Sequence, residues 1–185
     1  GSDPRAYVKR LLYCLYQTMK NSSETTRLAA TSLADFLGAA MACLEIDPLV
    51  ERYVSDMESV LGRRLTWQTD DVPLQNIQAR VRGPSAWLLA NVRGALLLAT
   101  SNRSEAAVGY ATMDGDTCGG LSPIAGIDKA YLRQWLRWVE KEGPEGVGPV
   151  PVLSAVTALP PTAELRPRES KQTDEADLMP YEVLD

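Results

Sequence analysis

Two short apolar runs, each followed by a segment with helical spacing, limit most strongly what this chain can fold into. Residues 11–18 (LLYCLYQT) are rich in apolar and aromatic side chains, which is typical of a strand buried on both faces. The segment that follows predicts a helix, because Asn21 and Glu24 form an N-terminal capping pair and Gly38 is a helix stop. The chain therefore opens with a strand followed by a helix.

A second unit of the same kind follows directly. Residues 39–46 (AAMACLEI) predict a strand, and Asp47 with Pro48 begins a helix that ends at Gly62. Apolar residues recur along one face of this helix: Leu49, Tyr53, Met57 and Val60. Because strands that alternate with helices are joined by parallel crossovers, the sequence predicts an α/β fold with a parallel sheet.

A further helix is expected after a polar connector at residues 63–73. Ile77 and Val81 lie four positions apart, as on one face of a helix. Gly83 and Pro84 are expected to kink or break that helix, since proline cannot donate the backbone hydrogen bond that a helix interior needs.

The apolar run at residues 95–100 (ALLLAT) predicts a third strand. It ends at Thr100, and ligands bind at the carboxyl ends of strands in open parallel sheets. A helix is expected to begin near Glu105, so its free amide groups would face whatever lies above Thr100.

One more helix and then irregular structure are expected in the rest of the chain. The helix opens at Asp128, and its apolar face is formed by Leu132, Trp135, Leu136 and Val139. Beyond it the chain is rich in Pro, Gly and charged residues, which predicts loop and tail rather than core.

Composition and charge exclude several classes of function. With 185 residues, 45% of them hydrophobic, the chain is long enough for one compact domain. A net charge of -5 argues against a general nucleic-acid binder, which needs clustered Lys and Arg. No apolar run is long enough to span a membrane and no signal-peptide pattern opens the sequence, so we expect a cytoplasmic location.

The reactive side chains narrow the chemistry further. The chain has no His, which removes the usual general base at neutral pH. Its three Cys residues have no metal-binding spacing, and we expect them to be reduced bystanders. Any chemistry must therefore depend on positioning, carboxylates, cations and metal.

Several polar residues allow both a structural and a functional interpretation. Glu105 can cap a helix or bind Mg²⁺, and Asp116 can simply form a turn around Gly115. Lys129 opposes the dipole at the start of a helix, which would make sense if a bound anion offset the repulsion. Thr162 by itself indicates only a turn.

Asn76, Arg80 and Arg82 form a polar face with two cations. Solvation of a surface helix explains this face, and so does the binding of a phosphate or carboxylate by a guanidinium fork. The spacing alone leaves both interpretations open.

Five segments in collinear order resemble the synthetase domain of the NAD synthetases, especially the bacterial glutamine-dependent type. They are NSSETT, LQNIQARVR, LLLATSNRSEAAVGYATMDGD, SPIAGIDKAYLRQW, and PPTAELRP with QTDEADLMPYEVLD. The resemblance covers nearly all of residues 9–185. It implies a three-layer α/β fold of the adenine nucleotide alpha-hydrolase type, Rossmann-like, with a parallel sheet flanked by helices and without the N-terminal P-loop strand.

The resemblance implies a division of the chain and a reaction. The division is an α/β core at residues 5–142, a loop or linker at 143–160, and a C-terminal substrate and ATP loop with its tail at 161–185. The reaction is ATP-dependent amidation of nicotinate adenine dinucleotide (deamido-NAD⁺) to NAD⁺ through an adenylate, with release of AMP and pyrophosphate. Ammonia would come from glutamine or from solution, and Mg²⁺ would assist.

Site residues follow from the same resemblance. It assigns Thr100, Lys129 and Thr162 to ATP, and Glu105 to Mg²⁺, with Glu105 and Lys129 as the catalytic pair. It assigns four residues to the dinucleotide substrate: Asn76, Arg80, Arg82 and Asp116. It also implies a homodimer or higher homo-oligomer and a linked glutaminase domain as a possible ammonia source, while charge and composition predict no nucleic-acid or membrane partner.

The sequence departs from the family pattern at two places. Met113 stands where ammonia-dependent relatives have a Lys that contacts substrate. The opening residues GSDP are not the Ser-Gly-Gly-x-Asp-Ser loop that binds pyrophosphate in the family. Two alternatives to the enzyme therefore stay open, a catalytically incompetent nucleotide-binding or dimerisation fragment and another ATP pyrophosphatase of the GMP-synthetase type.

Overall fold

Two parallel strands and their connecting helices begin the fold of the computed structural model, which describes residues 3–185. The strands are β1 (Tyr13–Thr18) and β2 (Ala40–Glu45), paired in register from Tyr13 with Ala40 to Thr18 with Glu45. The helices are α1 (Pro4–Leu11), α2 (Glu24–Leu37), α3 (Asp47–Leu61), α4 (Asp71–Arg93), α5 (Arg103–Val108), α6 (Lys129–Lys141), α7 (Ser154–Thr157), α8 (Asp174–Asp177) and α9 (Tyr181–Leu184). The α/β class and the parallel pairing predicted from the sequence are confirmed.

The first predicted helix is present, but its capping residue differs from the expected one. Ser23 caps α2 by accepting a hydrogen bond from the amide of Thr26. The predicted pair of Asn21 and Glu24 is wrong, because the Asn21 side chain is buried and donates instead to Gln78 Oε1 at 2.9 Å. Gly38 ends α2 in the left-handed conformation, as predicted.

The apolar face of α3 does not pack into the core. All four residues that define it are exposed, with 44–79% of their surface in contact with solvent: Leu49, Tyr53, Met57 and Val60. The predicted helix is therefore confirmed, and its apolar face lies on the surface of the single chain.

Helix α4 continues through Gly83 and Pro84, so of the expected kink or break, the break does not occur. Pro84 is exposed, and the missing hydrogen bond is tolerated within a helix of 23 residues. Gly83 is buried, and a Cβ there would lie 3.2 Å from the carbonyl oxygen of Asp114. The small residue thus lets a loop approach the helix closely.

Residues 95–100 do not form a third strand of the sheet. Leu98 makes only an isolated parallel bridge with Leu121, and the Ala99 amide donates to the Leu121 carbonyl at 2.8 Å. The prediction of a third strand is wrong, because the segment is paired at one position only, and its Leu96 and Leu98 side chains are exposed. Thr100 nevertheless follows directly from this extended segment.

The C-terminal part contributes to the core, which corrects its interpretation as loop and tail. Val150 and Leu153 pack with Val139 of α6 in one apolar cluster. Leu165 belongs to a second cluster, and Tyr181 is completely buried. No helix among residues 3–185 has both the length and the apolar character needed to cross a membrane.

Candidate active site

A cavity of about 680 Å³ lies where α2, α5, α6 and the chain around residue 160 meet. Six of the residues selected from the sequence line it: Arg82, Thr100, Glu105, Asp116, Lys129 and Thr162. Asn76 and Arg80 do not line it. The structure therefore brings together all the residues assigned to ATP and metal, and separates them from part of the dinucleotide set.

Glu105 is both a helix cap and a cavity residue. The Asn102 side chain accepts from the Glu105 amide at 3.1 Å, and Glu105 Oε2 accepts from the Asn102 amide at 3.2 Å, which is a capping box. Ser101 Oγ also donates to Oε2, at 3.3 Å. The capping interpretation of Glu105 is thus correct, and its second carboxylate oxygen, Oε1, takes no part in the cap.

Lys129 supplies the cation that meets this second oxygen. Its Nζ lies 2.8 Å from Glu105 Oε1 and 4.0 Å from Asp174 Oδ2. Because Lys129 is the first residue of α6, its charge opposes the helix dipole, and the two carboxylates offset that repulsion. A bound anion is therefore not needed to explain a cation at the start of this helix.

Asp174 and Tyr181 complete this cluster and were not selected from the sequence. The Tyr181 hydroxyl donates to Asp174 Oδ2 at 2.9 Å, and the Tyr181 ring lies 5.7 Å from Lys129 Nζ. Burial raises the pKa of Asp174, and its Oδ1 is enclosed without a hydrogen-bond partner. Burial, followed by the nearby Asp174 charge, also raises the pKa of Tyr181.

Thr162 lies in a loop held by its own hydroxyl. Thr162 Oγ1 donates to the Gln172 carbonyl at 2.7 Å and accepts from the Glu164 amide at 3.3 Å. Glu164 in turn accepts from Thr26 Oγ1 at 3.0 Å, which ties the loop to the start of α2. Backbone and side-chain bonds therefore fix the position of Thr162 at the cavity wall.

The residues assigned to the dinucleotide connect α4 to the loop at residues 112–116. Asn76 Oδ1 accepts from Thr112 Oγ1 at 2.9 Å, and Arg80 Nε donates to the Met113 carbonyl at 3.1 Å. Asp116 is exposed and accepts from the Thr112 amide at 2.8 Å. Asn76 and Arg80 therefore contact this loop outside the cavity, whereas Asp116 of the loop and Arg82 of α4 line the cavity.

The donor set fits Mg²⁺ only in part. No group of three or more Cys, Asp or Glu side chains within residues 3–185 is arranged to hold a metal ion. Mg²⁺ in nucleotide sites is commonly held by one or two carboxylates together with substrate phosphates and waters. Glu105 Oε1 already attracts a cation, the ammonium of Lys129, so it fits as one such ligand when a nucleotide supplies the remaining oxygens.

Comparison with known proteins identifies a family for this fold and site. The family model described as NAD synthase matches residues 8–185. The glutamine-dependent NAD(+) synthetase of Arabidopsis thaliana is 34% identical over 200 residues, which cover 99% of this chain and 27% of that protein. The chain thus spans about a quarter of the length of that curated relative.

Solved structures agree with this result. The crystal structure of a glutamine-dependent NAD(+) synthetase from Cytophaga hutchinsonii matches with a TM-score of 0.73 and 50% sequence identity. The matched region covers 74% of this chain and 24% of the Cytophaga hutchinsonii chain. A glutamine-dependent NAD+ synthetase from Acinetobacter baumannii in complex with adenosine diphosphate matches with a TM-score of 0.65 and 25% sequence identity. That matched region covers 82% of this chain and 27% of the Acinetobacter baumannii chain.

Proposed function

The chain belongs to the NAD synthase family, and on this basis we propose that it carries the site for ATP-dependent amidation of nicotinate adenine dinucleotide to NAD⁺. The single observation that supports this most strongly is the convergence of Thr100, Glu105, Lys129 and Thr162 on one cavity. The complex of the Acinetobacter baumannii relative with adenosine diphosphate also supports an adenine-nucleotide site in this fold.

The first step activates the substrate. An oxygen of the nicotinate carboxylate attacks the α-phosphorus of ATP, the bond between the α-phosphorus and its bridging oxygen breaks, and pyrophosphate leaves. Negative charge accumulates on the phosphoryl oxygens, so a cation held in the cavity lowers the barrier. Lys129 is that cation, and no His is needed, because a carboxylate is already deprotonated at neutral pH.

The second step forms the amide. Ammonia attacks the acyl carbon of the adenylate, the bond from that carbon to the phosphate oxygen breaks, and AMP leaves with its electron pair. One proton is lost from the attacking nitrogen to solvent. The residues of the cavity wall contribute mainly by aligning the two reactants. The cost of positioning reactants is a large part of the barrier in such transfers.

Glu105 would hold Mg²⁺ in this site, and the ion would neutralise phosphate charge when bound. Its Oε1 faces the cavity, while its Oε2 stays on the amide of Asn102. For the metal to bind, Lys129 must release Oε1, and Asp174 lies 4.0 Å away as a second carboxylate for the ammonium.

The dinucleotide would contact the surface formed by α4 and the loop at residues 112–116. Asn76, Arg80 and Asp116 meet there, and Arg80 has donors left over after its bond to the Met113 carbonyl. Met113 is exposed and cannot replace the family's Lys as a charged contact. A homodimer, a cytoplasmic location and a glutaminase elsewhere in the whole protein remain parts of this proposal.

An amidation assay tests the proposed function directly. The purified protein is incubated with nicotinate adenine dinucleotide, ATP, Mg²⁺ and either ammonium or glutamine, and NAD⁺, AMP and pyrophosphate are quantified. We expect equal amounts of the three products and their loss in Lys129→Ala, whereas Lys141→Ala, at the exposed end of α6, retains activity. ATP binding with no NAD⁺ formed from either nitrogen source would instead identify a nucleotide-binding module.

A further inference from the structure

Arg82 is a cation without a partner in the wall of the cavity. Its Nε is enclosed by the protein and has no hydrogen-bond partner. No carboxylate of residues 3–185 lies within the 4.0 Å of its guanidinium that would make an ion pair. Arg82 therefore lines the cavity while its Nε is buried without a hydrogen-bond acceptor.

The other arginines near this cavity are accounted for. Arg133 also lines it, but its Nη1 lies 2.8 Å from Glu175 Oε1. Arg137 lines it and is exposed to solvent. Among these cavity arginines in the described part of the chain, Arg82 alone combines an enclosed guanidinium nitrogen with the lack of any carboxylate at ion-pair distance.

An arginine in this position is costly for the folded chain. A buried charge needs a partner, since neither water nor the protein otherwise compensates it. Burial lowers the pKa of the Arg82 guanidinium, and Asp116 attracts it only from a distance. The Gln17 side chain donates to the Arg82 carbonyl at 3.0 Å, which fixes the backbone from which the side chain projects.

We propose that Arg82 forms a phosphoryl subsite of this cavity together with Lys129 and Thr100. A guanidinium fork with free donors suits two phosphate oxygens at once, and the ammonium and hydroxyl provide further contacts. The proposal rests on the proposed function and assigns Arg82 to a different group of residues within it. Arg82 does not act with Asn76 and Arg80. Its guanidinium instead binds either the phosphate chain of ATP or the diphosphate bridge of the dinucleotide.

Binding of inorganic pyrophosphate to the purified protein, measured by isothermal titration calorimetry, tests the subsite without catalysis. Arg82→Gln should weaken pyrophosphate binding by about tenfold or more, the usual value of a hydrogen bond to a charged group. Arg52→Gln removes the same charge from α3, outside the cavity, and should bind as the wild type does. Equal affinity of Arg82→Gln and wild type would overturn the proposal.

Thermal stability separates a binding role from a structural one. Arg82→Met retains most of the side-chain length and removes an uncompensated charge, so the ligand-free protein should melt no lower than the wild type. At the same concentration, pyrophosphate should raise the melting temperature of the wild type more than that of the variant. A lower melting temperature without ligand, with an unchanged pyrophosphate shift, would mean that Arg82 is structural.

Two further variants and ligands complete the test. Arg82→Lys keeps the positive charge but lacks the two-pronged guanidinium group. If Arg82→Gln does not fold, weaker pyrophosphate binding by Arg82→Lys supports the proposal in its place. Titration of the wild type and of Arg82→Gln with ATP and with nicotinate adenine dinucleotide shows which ligand's phosphates bind at the subsite. Weaker binding of either ligand by the variant supports the proposal. A wild type that binds pyrophosphate but makes no NAD⁺ would contradict the proposed function alone, whereas one that binds none of these ligands would contradict both.

Discussion

At the scale of single residues, Glu105 divides its two carboxylate oxygens between structure and chemistry. Oε2 closes the capping box at the start of α5, and Oε1 meets the ammonium of Lys129 in the cavity. A substitution that keeps the cap and removes the charge can therefore separate the two roles. Gln at this helix position also forms capping boxes, so the helix start would be preserved.

Glu105→Gln is expected to lower kcat by about 100-fold, because the charge it removes acts mainly on the transition state. KM for the dinucleotide should change by no more than a few-fold, since the dinucleotide residues lie around α4. Steady-state kinetics at saturating Mg²⁺ measure both constants, with Glu145→Gln on an exposed loop as the control. An unchanged kcat would contradict the metal role.

The sequence motifs predicted candidate ATP and metal residues that share one cavity, but not the groups that contact them. Thr100, Glu105 and Lys129 stand in segments whose order and spacing carry the family resemblance, and they share one cavity. Asp174 and Tyr181 lie seven positions apart across a proline, and no local pattern indicates that one would bond the other. Their role depends on how the C-terminal segment folds back over α6, which local sequence does not encode.

At the scale of elements, the segment that leads to Thr100 is held by a single short pairing. The Ala99 amide donates to Leu121, and the Gly120 amide donates to the Leu97 carbonyl at 2.8 Å. The chain can come this close because Gly119 has no side chain. A Cβ at Gly119 would lie 2.2 Å from the Ala99 nitrogen, a backbone atom that cannot move without breaking the pair.

Gly119→Ala should therefore destabilise the protein by about 1–3 kcal/mol, as expected for overpacking, and displace Thr100 from the cavity. Chemical denaturation measures the loss, and ATP titration measures the displacement. Gly126→Ala is the matched control, since a Cβ there meets nothing within 4 Å. Equal stability of the two variants would show that the pairing does not hold the segment.

The start of α4 depends on an ion pair that should be sensitive to acid. Asp70 accepts from Arg63 at 2.7 and 2.8 Å, from the Thr66 amide at 3.0 Å and from Thr69 Oγ1 at 2.7 Å. The Arg63 guanidinium first, and then the Thr66 amide and Thr69 hydroxyl, hold the pKa of Asp70 far below its ordinary value of 3.8. The stabilisation is therefore complete above that value and is lost as the pH falls below it.

Asp70→Asn should lower the melting temperature at pH 7 by a few degrees, and the difference from wild type should shrink by pH 3. Melting curves at the two pH values measure this. Asp56→Asn on the exposed face of α3 serves as control and should have little effect at either pH. A difference that is as large at pH 3 as at pH 7 would contradict the assignment of the effect to the Asp70 charge.

The elements most open to prediction were those with local signals at both ends. α2 and its Gly38 cap, β1 and β2 all follow from apolar runs bounded by turn residues, within one or two residues at each end. The helix α1 was missed, although Asp3 and Pro4 at its start are local signals for a helix. A break at Gly83 and Pro84 was one of two expected outcomes, and α4 continues through both residues. The segment at 95–100 was assigned wrongly since apolar composition does not reveal whether a neighbouring strand is available.

At the scale of the whole molecule, the C-terminal segment holds the cavity together. Asp185 accepts from Ser104 Oγ at 2.5 Å and from the Ala130 amide at 3.0 Å, so it links α5 to α6. Arg166 pairs with Asp71 of α4 and with Asp177 of α8. A part of the chain that composition marks as loop thus fastens three helices that surround the site.

The intact protein is expected to form a homodimer, as the family resemblance implies. Multi-angle light scattering of the purified protein at micromolar concentration should give twice the mass of the chain. The apolar face of α3 is exposed in the single chain, which leaves surface available for association. A monomer mass at every concentration would contradict the expectation.

The central claim is that a nucleotide triphosphate with its divalent ion lies beyond Thr100, between Glu105 and Lys129. A crystal structure of the protein with a non-hydrolysable ATP analogue and Mg²⁺ tests it most directly. The account predicts phosphate oxygens within hydrogen-bond distance of Lys129 Nζ, and a metal on Glu105 Oε1 in place of the ammonium. Density for the analogue elsewhere, with the bond from Lys129 to Glu105 intact, would contradict it.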